Sequence, residues 1–226
     1  VKKITNELEI LAALESFKDK TVIDVGCGTG GMTRELALHG AKVTGIDTKG
    51  MLEKAKAASP MGVETYVPGG GEALPFEDSI ADVILYFASL HHIPVGKMET
   101  ALKEAHRVLK PGGVVICLEP VGREGSFFDI IRLVEDEREM QMLAYEAINM
   151  AGDFGLRNNE EYMVYIERSY EDYVSLLNKF VDDDVKRSDC LVQAREITER
   201  FSRETGVAFE DFRFKSICRV NVLVKE

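Results

Sequence analysis

Hydrophobic positions change their period twice along this chain. Through residue 120, short apolar runs alternate with stretches of helical spacing. Thr21–Val25, Lys42–Ile46, Val63–Val67, Ala81–Phe87 and Val114–Leu118 read as strands. Thr33–His39, Gly50–Ala58 and Gly96–Leu109 read as helices, stopped by Gly40, Pro60 and Pro111-Gly112-Gly113. Ala81–Phe87 is almost wholly apolar, as a strand covered on both faces must be. Strands alternating with helices predict an α/β fold, a doubly wound and mostly parallel sheet. Ahead of it, Leu8, Leu11, Ala12 and Leu14 place a helix over Thr5–Phe17.

After Glu119 the pattern turns mainly helical. Phe127–Met150, Tyr170–Phe180 and Val185–Phe201 are amphipathic stretches within an α-helical cap spanning roughly 121–205. Phe212–Lys225 alternates by twos and reads as a long antiparallel edge strand, with Met163–Tyr170 as its candidate partner. The expected organisation is one domain over 1–226: a cofactor-binding core (1–120), the cap as a substrate insertion (121–205) and a terminal strand (206–226). If the terminal strand pairs beside Val114–Leu118, Cys117 and Cys218 are expected to face each other as core thiols.

Composition narrows the possible functions. The 226 residues are 45% hydrophobic, enough for a substantial core without disulfides or metals. Net charge is −11, with 13 basic against 16 acidic residues up to 120 and 15 against 23 beyond. Such a surface repels a phosphate backbone, so no nucleic-acid partner is expected. The four cysteines form no CxxC pair, so no metal site is expected. No apolar run is long enough to span a bilayer and no signal-peptide core is visible; a soluble, cytoplasmic enzyme without a membrane partner is expected.

The richest chemistry lies in Val22-Ile23-Asp24-Val25-Gly26-Cys27-Gly28-Thr29-Gly30-Gly31, a strand running into a glycine loop and then a helix. Gly26, Gly28 and Gly31 satisfy GxGxxG, which suits a nicotinamide enzyme equally well. Asp24 separates the two. A carboxylate there would repel a pyrophosphate, yet it can bond a cationic ammonium group or the loop itself. Asp47, closing the second strand, can accept both hydroxyls of an adenosine ribose, or else cap the helix beginning near Thr48.

These segments, with Gly45-Ile-Asp47, Glu72-Ala-Leu-Pro-Phe76, Asp82-Val-Ile84, Leu90-His-His92 and Arg107-Val-Leu-Lys-Pro-Gly-Gly113, resemble the class I S-adenosylmethionine-dependent methyltransferases. Within that class the resemblance is to the ubiquinone/menaquinone-biosynthesis group, and it covers Thr21 to Pro120. It implies a seven-strand Rossmann-like sheet, S-adenosyl-L-methionine as cofactor and methyl transfer to an O, N or C atom of a small molecule. It also implies roles by position. Gly26, Cys27 and Gly28 would line the methionine part, with Asp24 near its amino group. Asp47 would hold the ribose, Thr48 and Met51 would flank the adenine, and Gly71-Glu72 would meet its edge. Phe87, Ala88 and Ser89 would lie beside the methionine moiety. One departure stands out: the family commonly carries an Asp where this chain has Gly70, and Glu72 is the candidate substitute.

His91 and His92 follow the fourth strand, and His92 is the candidate general base, a loop-bonding histidine being the alternative. Tyr145, Phe154, Tyr162, Tyr165, Tyr170 and Tyr173, with Met140, Met142 and Met150, can line an acceptor pocket or simply pack a core. Two rival functions remain open at this point, a non-catalytic S-adenosylmethionine-binding module and an NAD(P)-dependent oxidoreductase. Acceptor and oligomeric state are not encoded in any motif.

Overall fold

A computed structural model describes residues 2–4, 17–121, 132, 134–169, 175, 177, 184–205 and 213–226. In chain order the elements are β1 (Lys2–Ile4), β2 (Thr21–Val25), α1 (Gly31–Leu38), β3 (Lys42–Asp47), α2 (Lys49–Ala57), β4 (Val63–Pro68) and β5 (Ala81–Phe87). A 3-10 turn (Leu90–His92) precedes α3 (Met98–Val108) and β6 (Leu109–Pro120). Then follow α4 (Arg138–Met150), β7 (Leu156–Ser169), α5 (Asp184–Thr205) and β8 (Arg213–Lys225). The strands form one mixed sheet in the order β1-β7-β8-β6-β5-β2-β3-β4.

Side-chain alternation along each strand sorts the core into two layers. Ile23 and Val25 of β2, Ile84 and Tyr86 of β5, and Val115 and Cys117 of β6 face α3 and α4. Val22, Val83, Leu85, Ile116 and Leu118 face the other way, against Leu36 and Ala37 of α1. Helix α3 buries Met98, Ala101, Leu102, Ala105 and Val108, a stripe at helical spacing. Each large apolar side chain so buried contributes about 1.5–3 kcal/mol. On α4 the buried residues are Ala144, Ala147 and Ile148, small enough to let that helix settle against α3 and the Leu90–His92 turn.

From β2 the chain builds β3 and β4 outward to one edge, then crosses back to place β5 on the other side of β2. All of these pairs, and β5 with β6, are parallel. This reversal makes the carboxyl ends of β2 and β5 a topological switch point, where open α/β sheets bind ligands.

The doubly wound expectation holds, with corrections in detail. Beside the seven strands expected, the sheet carries the three-residue β1 at its edge. The 121–205 segment is not uniformly helical: Leu156–Ser169 is a strand, and it supplies the partner sought at Met163–Tyr170. Consequently β8 is not an edge strand but lies antiparallel between β6 and β7. It is buried on both faces, with Val220 and Val222 in one layer and Leu223 in the other. Cys117 and Cys218 do not meet, because they point into opposite layers. Pro111-Gly112-Gly113, expected as a helix stop, falls within β6 where the register with β5 slips between Ala81 and Val83. The helix expected at Thr5–Phe17, most of Tyr170–Phe180 and residues 122–131 lie outside the described residues.

Candidate functional site

Two loops meet at the switch point. Gly26 takes φ 75°, and a Cβ built on it would lie 2.5 Å from Ser89 Cβ. Only glycine serves at such a contact with such a torsion. The Ser89 hydroxyl donates to the Val25 carbonyl, and the Gly26 and Cys27 amides donate to the Ile46 carbonyl. Three strand ends, β2, β3 and β5, are thereby tied around the loop. Ala88 holds left-handed φ 49° and anchors its amide on the Leu118 carbonyl at 2.7 Å. Half-buried Phe87 packs into the α1-side layer.

Asp24 is 1% exposed and accepts from the Thr33 hydroxyl of α1 at 2.6 Å. This bond goes to a helix side chain rather than to the loop backbone. Burial pushes its carboxyl up to about 6; the Thr33 bond opposes this and the Asp47 charge adds to it. A buried acid in that state gains more than a solvated one from a cation brought beside it. Asp47 receives the Gly28 amide on Oδ2 and the Thr48 amide on Oδ1, both at 2.7 Å. Met51 sits against the same turn, its Cε 3.8 Å from the position a Gly28 Cβ would take. Cys27 is no nucleophile: burial first, then the Asp24 and Asp47 charges, push its thiol up to about 12.

Gly71 packs on Val25 and Ile93, with its would-be Cβ 2.7 Å from Ile93 Cδ1. Glu72 folds back over Gly70, its Oε2 lying 2.5 Å from where a Gly70 side chain would begin.

Further along the same edge lies a cluster of which the sequence reading touched only the two histidines. Glu119, at the end of β6, accepts the Ser89 and Leu90 amides on Oε1, at 3.2 and 2.9 Å, and His91 Nδ1 on Oε2. It holds the Leu90–His92 turn in place. His91 is buried, and its Nε2 lies 3.5 Å from Glu137 Oε2. Burial alone would lower the His91 pKa, but the bonds to Glu119 and Glu137 outweigh it and raise it to about 9. His92, the expected base, is exposed, with Nε2 3.7 Å from Glu137 Oε1. Partial desolvation and the neighbouring His91 charge keep it below the ordinary histidine value. Neither carboxylate stood out in the sequence. Each became visible only once the fold brought it to the turn, though Leu90-His-His92 had marked the place.

The aromatic residues after β6 do not assemble into one pocket among the described side chains. Tyr145 stacks under the Arg219 guanidinium at 3.5 Å and donates to Glu161. Phe154 packs on the α3–α4 layer. The side chains of Tyr165, Tyr170 and Tyr173 lie outside the described residues.

Residues 23–117 match the model of a family described as "Methyltransferase domain". A demethylmenaquinone methyltransferase of Staphylococcus epidermidis is 40% identical over 116 residues, 49% of this chain and 47% of that relative. The match therefore spans about half the length of that curated relative. In fold, a protein of Bacillus halodurans C-125 aligns with TM-score 0.67 at 20% identity, over 97% of this chain and 98% of its own. An S-adenosylmethionine-dependent methyltransferase of Methanosarcina mazei aligns with TM-score 0.60 at 17% identity, over 98% and 99%.

Proposed function

We propose that this chain, whose residues 23–117 match the methyltransferase domain family, binds S-adenosyl-L-methionine at the β2–β5 switch point and transfers its methyl group to a small molecule. The observation that carries the reading is the meeting of the Asp24–Gly28 loop with Ser89, beside the carboxylates of Asp24, Asp47 and Glu72. The bonds to Asp24 and Asp47 come from hydroxyl and backbone groups, so their negative charge is left for a ligand to answer. A dinucleotide would bring its pyrophosphate into that field; a ligand with an ammonium and a sulfonium brings opposite charge. This disfavours the NAD(P) reading.

In this reading Asp24 stabilises the amino group, and the loop backbone at Gly26, Cys27 and Gly28 lies along the methionine chain with Phe87, Ala88 and Ser89 opposite. Asp47 takes the ribose hydroxyls, and its two backbone bonds fix its orientation in advance. Thr48 and Met51 flank the adenine, while Gly71 and Glu72 close its edge. When bound, the sulfonium supplies an activated methyl group and leaves as a neutral thioether. The protein's part is alignment, a contribution of up to about 7–11 kcal/mol to lowering a barrier.

The segment 121–205 carries acceptor specificity, because α4 begins beside the Leu90–His92 turn at the same sheet edge. The name of the Staphylococcus relative makes demethylmenaquinone the first acceptor to assay. Among the described residues no helix is long and apolar enough to cross a membrane, and the four cysteines are buried. A cytoplasmic location agrees with both.

The reading is tested by calorimetric titration of wild type and Asp47→Ala with S-adenosylmethionine, S-adenosylhomocysteine and NAD. Binding of the first two, weakened by about 2 kcal/mol or more in the variant, is expected. Binding of NAD alone would replace the proposal with the oxidoreductase.

A further inference from the structure

The sequence offers no zinc-type cysteine pattern, yet the fold assembles another donor set. Among the described residues, His91, His92 and Glu137 present one ligating atom each, all within 4.8 Å of one another. The histidines come from the turn after β5, and Glu137 from the residue just ahead of α4. Their closest approaches are 3.5 Å (His91 Nε2 to Glu137 Oε2) and 3.7 Å (His92 Nε2 to Glu137 Oε1). A tetrahedral ion with bonds of about 2.0–2.2 Å separates neighbouring donors by about 3.3–3.6 Å. Little movement is needed to close these three atoms around an ion.

We propose that His91, His92 and Glu137 form a site for a divalent transition-metal ion of the zinc class, with Glu119 as the carboxylate that orients His91. Two imidazoles and a carboxylate are a donor set such ions favour over magnesium or calcium. Three features of the geometry go beyond an ordinary ion pair. First, Glu119 accepts from Nδ1 of His91 and aims Nε2 at Glu137, so an ion that displaces the Nε2 proton finds that lone pair already directed into the site. A carboxylate, an imidazole and a metal in line are the arrangement by which ligating histidines are held. Second, Glu119 is itself fixed by the Ser89 and Leu90 amides, so the orienting group is rigid. Third, both imidazoles, with ring centroids 4.1 Å apart, approach the same Glu137 carboxylate. Two charged rings at that distance would repel, whereas one shared cation takes a neutral lone pair from each.

Such an ion would tie the start of α4 to the β5 turn. With three protein ligands it would keep a fourth position for water or an acceptor atom, at the sheet edge where the methyl group is delivered. His92 then serves as a ligand in place of a general base, since a nitrogen bound to a cation has no lone pair left for a proton. The proposal stands independently of the cofactor reading.

The test is titration of tag-free, chelator-stripped full chain with Co²⁺, followed by displacement with Zn²⁺, read by visible absorption and calorimetry. One ion per chain and the intense bands of tetrahedral cobalt are expected, weakened by tenfold or more in His92→Gln and Glu137→Gln. Glu119→Gln should weaken binding by about 10–100-fold through misorientation of His91, and His39→Gln, on the far surface, should leave it unchanged. Thermal unfolding of each stripped variant reports its folding. Because His92 is exposed, His92→Gln decides the matter even if Glu137→Gln fails to fold. Absence of the bands, or undiminished binding in His92→Gln, would overturn the site.

Discussion

From β4 to β6 every strand pairs in parallel, and the working groups sit on tight turns at the carboxyl ends. Gly26, Gly28 and Ala88 all hold left-handed torsions there. From β6 to β7 the pairing is antiparallel, and polar side chains add contacts across the ladder. Asn221 donates to Glu161 at 2.7 Å, Tyr145 donates to the same carboxylate, and Arg219 lies over the Tyr145 ring. The relative from Staphylococcus matches about half the chain, while the fold of the Bacillus protein matches nearly all of it. A ligand grip demands particular residues at particular torsions. A buried strand pair demands only apolar volume at the right period, which many sequences satisfy.

The sharpest break in that comparison comes from Gly26. Gly26→Val combines a disfavoured torsion with a branched side chain driven into Ser89. Together these cost about 3 kcal/mol or more. S-Adenosylhomocysteine affinity should fall by about a hundredfold or beyond, read by calorimetry. An affinity within threefold of wild type would mean that the two loops do not form the cofactor grip.

Leu223→Ala is the converse. Leu223 is fully buried in β8, and its truncation should cost about 2–5 kcal/mol in chemical denaturation. Cofactor affinity, measured well below the transition, should stay within about twofold. Coupled losses would show that the antiparallel half props up the site directly rather than only the sheet.

The same contrast explains what could be read in advance. Asp24, Gly26, Gly28 and Asp47 were legible because their residue types answer to a local backbone or charge requirement. The first half of strand β7 was hidden because Arg157 to Glu161 are exposed and polar, so only the stretch from Met163 onward was read as a candidate strand. Its partner on the outer side, β1, covers only Val164 to Ile166, leaving the rest of β7 as an edge with the charged residues edges favour. β8 was correctly read as a strand, with its partner sought at Met163–Tyr170, but was wrongly placed at the edge. Nothing in the sequence singled out Glu119; its three bonds arise from a turn that the sequence places 28 to 30 residues earlier.

Asp24 tests the electrostatic side of the grip. Its folded pKa is raised from 3.8 to about 6, so the folded chain holds a proton that the unfolded chain has lost. That contribution, about 3 kcal/mol, is complete below pH 3.8 and is lost as pH rises through 6. A bound ammonium reverses the preference by favouring the carboxylate. Cofactor affinity should therefore fall as pH drops below about 6, by at most tenfold per unit, with protons released on binding. Calorimetry in buffers of differing ionisation enthalpy measures both, and Asp24→Asn should flatten the profile. An affinity indifferent to pH through 6 in the wild type would separate Asp24 from the ligand and leave it as the anchor of Thr33 alone.

The smallest effect concerns the exchange between Gly70 and Glu72. Glu72→Ala removes the carboxylate that lies over Gly70 and should weaken cofactor binding by about tenfold, the worth of one hydrogen bond to a charged group. Gly70→Asp alone should not help, because the new side chain begins 2.5 Å from the Glu72 carboxylate and meets its charge. In the Glu72→Ala background that space is clear, and Gly70→Asp should restore most of the lost affinity. The two substitutions would then be non-additive by about 1 kcal/mol or more, as neighbours sharing one task are. Additive losses in the cycle would mean that the two positions do not serve the same ligand atom, and the Gly70 departure would be a change in the loop rather than a relocation of its acid.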